Sequence, residues 1–338
     1  MHDTAIITGA AGFIGSHLAA ALNARGRRVL GIDNFDAFYD RPAKLDNLKR
    51  ASLSEFIEAN ILDRPRMHEI FSRSKPSSVF HIAALAGVRP SIADPARYAS
   101  VNVDGLVSVL DAARESGCRT VMFASSSSVY GNNPKAPFAE TDPVDEPISP
   151  YAATKRAGEL ICHAYAHLFG VRIAALRFFT VFGPAQRPDL AIAKFMRLIA
   201  AGEDVPVFGD GTTSRDYTYI DDIIQGVLAS ERVIASPSAP GSAGGPADGA
   251  CRIWNLGGSH PHTLSEMIDT IARVVGKPAR IKRLPMQAGD VERTWADLAR
   301  SKAELGFEPH TSFEDGVRKQ WGWLRTTLRQ PASPATMT

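Results

Sequence analysis

Tyr151 and Lys155 stand four residues apart, just after Pro150, in a stretch with helical periodicity. Residues at i and i+4 share one helix face, so the spacing brings an ammonium beside a phenol. A positive neighbour favours phenolate, which makes Tyr151 a candidate proton acceptor near neutral pH. The spacing alone also describes an ordinary surface pair. Twenty-five residues before Tyr151, however, a β-rich run ends in Ser125-Ser126-Ser127-Ser128-Val129-Tyr130-Gly131. Hydroxyls at the carboxyl end of a strand face the crevice where α/β sheets bind ligands. A serine cluster there, followed by Tyr-x-x-x-Lys, is far less expected by accident.

A second group of residues suits a dinucleotide. The run Thr4–Thr8 passes into Gly9-Ala-Ala-Gly12-Phe13-Ile14-Gly15 and then a helical pattern. A glycine turn between strand and helix lets backbone N–H groups approach a pyrophosphate at the positive helix end. The next β-rich run ends Gly31-Ile32-Asp33-Asn34. A carboxylate at that point accepts hydrogen bonds from adenosine ribose hydroxyls. It also repels a 2′-phosphate, which favours NAD over NADP.

These groups require an α/β scaffold. Strands are expected at Thr4–Thr8, Arg28–Asp33, Ser54–Glu58, Ser78–Ile82, Thr120–Ser125 and Arg172–Arg177, with helices at Phe13–Arg25, Pro95–Ser116 and Tyr151–Phe169 between them. Near-continuous apolar strands argue for a parallel sheet covered on both faces. The expected fold is a Rossmann-like doubly wound parallel sheet with a smaller C-terminal α/β substrate-binding lobe. The division expected is residues 1–182 for the dinucleotide-binding domain and 183–330 for the lobe, with 217–230 and 252–258 returning to the first domain. In the lobe a helix is expected around Leu190–Ala201, and Thr263–Glu266 and Thr311–Glu314 match the S/T-x-x-E capping box. Gly26 and Gly117 sit where helices should stop. Residues 235–250, rich in Pro, Gly, Ser and Ala, read as a mobile loop, and 331–338 as a frayed tail.

Several classes are disfavoured. A formal net charge of +2 over 338 residues supplies no strong field for nucleic acid or a membrane surface. No apolar run reaches the roughly 18 residues of a membrane span, and the amino terminus lacks a signal-peptide pattern. Cys118, Cys162 and Cys251 are scattered, as for reduced thiols of a cytoplasmic protein. His81 reads as a core histidine, and Asp221 and Asp222 as helix N-terminal caps rather than a metal pair. No metal-ligand cluster is expected.

Taken together, Gly9–Gly15, Ser125–Gly131 and Tyr151–Lys155 resemble the extended short-chain dehydrogenase/reductases, over roughly residues 3 to 325. The resemblance implies a catalytic triad of Ser126, Tyr151 and Lys155, with Ser125, Ser127 and Ser128 close enough to leave the serine open. It implies NAD contacts at Gly9, Gly12, Phe13, Ile14, Gly15, Asp33, Asn34, Ile61, Ala83, Ala84, Leu85, Asn102, Tyr151 and Lys155. Asn60 stands where many members carry Asp against the adenine amine, and its amide oxygen can accept the same bond.

In such enzymes the tyrosine takes a proton from a sugar hydroxyl while hydride passes to NAD. The 4-keto sugar is then epimerised, dehydrated or decarboxylated. Dehydratases carry an Asp-Glu pair where this chain has Ser127 and Ser128, and hydroxyls of ordinary pKa are poor general acids. Epimerisation needs no further acid or base. The stretches Ala86–Ser91, Pro147–Lys155 and Arg177–Asp189 are similar to UDP-glucuronate 4-epimerases. A uronate carries a C6 carboxylate, which Arg187 is expected to pair with and Thr180, Ser127 and Ser128 to hold by hydroxyl bonds; the alternatives for Arg187 are a diphosphate contact or a solvated loop charge. Val207–Tyr217 resembles the family's uridine-diphosphate loop, with Val207, Arg215 and Arg293 as further contacts and Lys194 assisting. Family dimers pair through helices equivalent to Pro95–Ser116 and Tyr151–Phe169, so a homodimer is expected. The alternatives are a UDP-glucose or UDP-N-acetylglucosamine 4-epimerase, a UDP-glucuronate decarboxylase, and a non-catalytic NAD(H) sensor.

Overall fold

The computed structural model describes residues 3–236, 250–285 and 291–329. Most of the proposed loop 235–250 and the whole of the tail 331–338 lie outside them. The described residues form strands β1 (Thr4–Thr8), β2 (Arg28–Asp33), β3 (Glu55–Glu58), β4 (Ser78–His81), β5 (Thr120–Ser126), β6 (Arg172–Phe178), β7 (Thr180–Phe182), β8 (Asp204–Phe208), β9 (Ser214–Tyr219), β10 (Cys251–Leu256), β11 (Pro261–Thr263) and β12 (Arg280–Leu284). Seven make a parallel sheet in the order β10-β6-β5-β4-β1-β2-β3. The order reverses between β1 and β4, and a ligand crevice opens at such a reversal.

The sheet is buried on both faces because its strands are apolar on both. Along β1, Ala5 and Ile7 join one core and Ile6 the other, as a period of two requires. Phe13–Asn23 and Ile220–Ala235 cover the first face, with Leu18, Leu22, Ile223 and Val227 in its core. Arg64–Ser74, Gly105–Glu115 and Pro150–Phe169 cover the second, with Phe71, Leu110 and Cys162. The first core continues without a break into the smaller lobe, through Phe182, Met196, Met267, Phe313 and Val317. That lobe holds two small sheets, β11-β9-β7 and β12-β8.

Three local expectations are corrected. Pro95–Ser116 is not one α-helix, because a π-helical turn at Ser100–Asp104 interrupts it. The last helix, Phe313–Arg329, is capped by Ser312, whose Oγ accepts from Asp315 N at 3.1 Å, one residue later than the Thr311 box. Asp222 is not a cap either: its carboxylate accepts from the backbone N–H groups of His310 and Thr311 at 3.2 and 3.1 Å, docking the chain ahead of that helix. The box at Thr263 and Glu266 is present in full.

Candidate active site

The carboxyl ends of β1, β2, β4, β5 and β6 open on a cavity of about 490 Å³. A larger one, about 840 Å³, lies at the amino ends of the sheet, away from the groups considered above. The glycine turn forms one wall of the first. Gly9 has φ +74°, and a Cβ there would stand 2.7 Å from Ala83 N; a Cβ on Gly15 would stand 2.1 Å from Gly9 O. The turn and helix are thus too close for side chains, and Phe13–Asn23 begins with no side-chain cap on its first N–H groups. Such an end is a ready anion site. Asp33 lies across from it. Its carboxylate is aimed by Ala11 N and Phe35 N, which donate at 3.1 and 2.8 Å, and burial raises its pKa. The two oxygens keep lone pairs for further donors. A bare turn, an open helix end and an oriented carboxylate fit NAD.

Asn34, Asn60, Ile61, Ala83, Ala84 and Leu85 also line this cavity. Asn60 Oδ1 already accepts from Leu62 N at 3.0 Å. Asn102 does not line it. The π-turn directs its amide at the Leu85 backbone, accepting from Leu85 N at 2.8 Å and donating to Leu85 O at 3.0 Å, and at Thr154 Oγ1 at 3.0 Å. It holds the wall from behind.

Strand alternation separates the serines. Ser125 turns into the protein and donates to Glu159 Oε1 at 2.7 Å. Ser126 turns the other way, donates to Ser128 Oγ at 3.1 Å, and lines the cavity with Tyr151. Lys155 donates to Ala124 O at 2.7 Å, and its Nζ is 5.9 Å from the Tyr151 ring centre. Burial lowers the Lys155 pKa to about 7. Burial also raises the Tyr151 phenol, opposed by the nearby Ser126 hydroxyl and the charge of Arg187. The expected lowering of Tyr151 by Lys155 is not found. Desolvation of the phenol outweighs its neighbours, and the lysine is itself desolvated.

Ser127, Ser128, Thr180 and Arg187 line the same cavity as Tyr151. The Arg187 guanidinium lies 4.6 Å from the Phe38 ring centre. Asp189 holds its side edge, Nε at 3.0 Å and Nη2 at 2.8 Å, without engaging Nη1. Four expected substrate contacts lie outside this cavity. Lys194 is exposed on Ala191–Ala201, and Val207 is buried in β8. Arg215 donates to Ser214 O at 2.9 Å, and Arg293 donates to the Pro134 carbonyl. The segments that carry these two arginines pair, since Ser214 bridges Arg293. Sequence reasoning missed Lys44, which lines the cavity near Asp33 and donates to Asp36 O at 2.6 Å. A helix lysine carries no local signal that it will be buried. Among the described residues no His/Cys/Asp/Glu group could hold a metal ion. His81 is a core residue, its Nδ1 2.8 Å from Thr8 Oγ1.

Known proteins resemble this arrangement. Residues 5–239 match the model of the NAD dependent epimerase/dehydratase family. The chain is similar to UDP-glucuronate 4-epimerase of Thermodesulfobacterium geofontis (strain OPF15), 37% identical over 328 residues, with 96% of each covered. Among solved structures it is similar to UDP-glucuronic acid 4-epimerase from Bacillus cereus in complex with UDP-glucuronic acid and NAD, at 32% identity and a TM-score of 0.85, covering 96% of this chain and 99% of that one. It matches the UDP-glucose 4-epimerase of Thermotoga maritima with UDP-glucose at the same identity and TM-score. The fold therefore does not discriminate between sugars, and the side chains around the cavity must.

Proposed function

This chain belongs to the NAD dependent epimerase/dehydratase family, and we propose that it converts UDP-glucuronate to UDP-galacturonate through a 4-keto intermediate. The observation that carries this reading is one cavity holding Tyr151 and Ser126 together with Thr180, Ser127, Ser128 and Arg187. One guanidinium and three hydroxyls beside the candidate base suit a sugar that carries a carboxylate. The 37% identity to a UDP-glucuronate 4-epimerase supports it.

In this reading Tyr151 takes the proton of the 4-hydroxyl, and Ser126, in the same cavity, steadies the phenolate and the sugar oxygen. Bound NAD supplies the hydride acceptor at C4 and the donor on return. The Gly9–Gly15 turn and Asp33 hold that cofactor. The keto sugar turns over between the two transfers, so both of its faces meet the same groups. A 4-keto uronate is a β-keto acid, and it loses CO2 when the C5–C6 bond aligns with the carbonyl π system. Hydroxyls from Ser127, Ser128 and Thr180 that keep the carboxylate near the ring plane suppress that alignment. Arg215 and Arg293, on paired segments of the smaller lobe, meet the diphosphate.

The chain acts as a homodimer in the cytoplasm. Leu160 and Leu168 are 55% and 65% exposed on Pro150–Phe169, which supports pairing through that helix. Among the described residues no helix is long and apolar enough to cross a membrane.

Steady-state turnover of UDP-glucuronate, UDP-glucose and UDP-N-acetylglucosamine tests the choice of sugar. The uronate should give by far the largest kcat/KM. Preference for a neutral sugar would refute the role given to Arg187 and Thr180.

A further inference from the structure

Beneath the cavity lies a charged pair that the chemistry above does not use. Glu159 is one helical turn beyond Lys155 and two beyond Tyr151. Its side chain is 0% exposed, and that of its partner Arg177 on β6 is 1% exposed. Arg177 Nε and Nη2 donate to the two carboxylate oxygens at 2.8 and 2.9 Å. Ser125 donates to the same carboxylate. The third arm of Arg177, Nη1, donates to the Tyr130 hydroxyl at 2.9 Å, which donates to Asn255 Oδ1 on β10 at 2.7 Å. Glu159 and Arg177 do not line the cavity.

Stability is a weak reason for such a pair. Desolvating each ion costs several kcal/mol, and replacing a buried pair with apolar residues of similar volume is often neutral or stabilising. A fork-to-carboxylate contact does supply direction, since two parallel bonds allow one relative placement, whereas an apolar face allows sliding. This contact joins the helix bearing Tyr151 to the strand bearing Ser126, through Ser125, the residue before it.

We propose that Glu159 is a positioning residue for proton transfer, which with Arg177 and Ser125 fixes the register of Tyr151 against Ser126. The claim rests on Tyr151 and Ser126 being the proton-transfer pair, not on which sugar they act upon. Misplacement by 1 Å can cost on the order of a hundredfold in rate. Neither Glu159 nor Arg177 is among the charges that shift Tyr151 or Lys155, so the effect is geometric.

Deleting Glu159 alone would strand the Arg177 charge in the core, and deleting Arg177 alone would leave Glu159 only Arg156, 3.3 Å away. The test therefore removes both, Glu159→Met with Arg177→Met, and separately makes Ser125→Ala. Each is assayed as the NAD-loaded protein with whichever nucleotide sugar the unaltered protein turns over. The double variant should keep its NAD content and KM while kcat falls about tenfold or more, evenly across pH. Ser125→Ala should lower kcat several-fold with KM unchanged. Unaltered kcat in a folded double variant overturns the proposal, as does a loss that falls equally on KM and NAD content. If the double variant does not fold, Ser125→Ala decides, and wild-type kcat there overturns it.

Discussion

At the scale of single residues, burial makes the candidate base a weaker acid than free tyrosine. Burial raises the Tyr151 phenol, and Ser126 and Arg187 pull it back. The spacing of Tyr151 and Lys155 foretold that they share a helix face, but not the solvation that dominates their proton affinities. The run of four serines was similarly ambiguous on paper. It resolves because β5 continues through Ser126, so Ser125 and Ser126 face opposite ways. Arg187 was legible, but its clamp, Asp189, was visible only once the guanidinium could be followed. The hydroxyl nearest the question of product choice is Thr180. Thr180→Ala should leave the first oxidation intact and raise the share of the decarboxylated pentose several-fold, read from NMR integrals of the product mixture. An unchanged share would remove Thr180 from carboxylate control.

Between residues and the whole fold stands an acid that organises the proposed diphosphate grip. Asp216 on β9 is fully buried and accepts from Gly258 N at 2.6 Å, Ser259 N at 3.0 Å and Ala296 N at 2.9 Å. It thereby ties the strand of Arg215 to the segment that follows Arg293. Burial raises its pKa from 3.8 to about 6. Between those values the folded state binds more protons than the unfolded chain, so this group's contribution to stability falls as pH rises through the window and is level above it. The loss is on the order of 3 kcal/mol. Urea unfolding of wild type and Asp216→Asn should therefore show the wild type losing ground from pH 4 to pH 6, then running parallel. Parallel curves throughout would mean that Asp216 is ionised across the range. Elements of this size were partly legible. The bounds of β1 and β2 follow from hydrophobic runs ended by turn residues. The π-turn at Ser100–Asp104 does not, because one residue too many in a helix leaves its apolar period nearly intact, yet that turn points Asn102 at Leu85. The strands β7 and β11, three residues each, are too short for a period to be read.

For the molecule as a whole, the sheet order is the decisive feature. It puts the glycine turn after β1, the acid at the end of β2 and the serines at the end of β5 around one crevice, as repeated β-α alternation implied. The strand β10 forms the last strand of the main sheet, more than seventy residues along the chain from its neighbour β6. The sequence could not indicate how the smaller lobe packs on the first core, since that depends on contacts far apart in the chain. The proposed pairing of two copies belongs to this scale as well. Leu160→Glu with Leu168→Glu should convert a dimer to a monomer in sedimentation velocity while leaving the crevice intact. A species of unchanged size would exclude Pro150–Phe169 as the interface.

The reaction itself is tested most directly by an NMR time course on the purified protein with UDP-glucuronate and no added reductant, repeated from UDP-galacturonate. Both should reach the same mixture of the two uronates, with little pentose and no reduced cofactor released. Pentose as the main product, or a reaction that consumes NAD in proportion to sugar, would contradict an epimerase that returns its hydride to the same sugar.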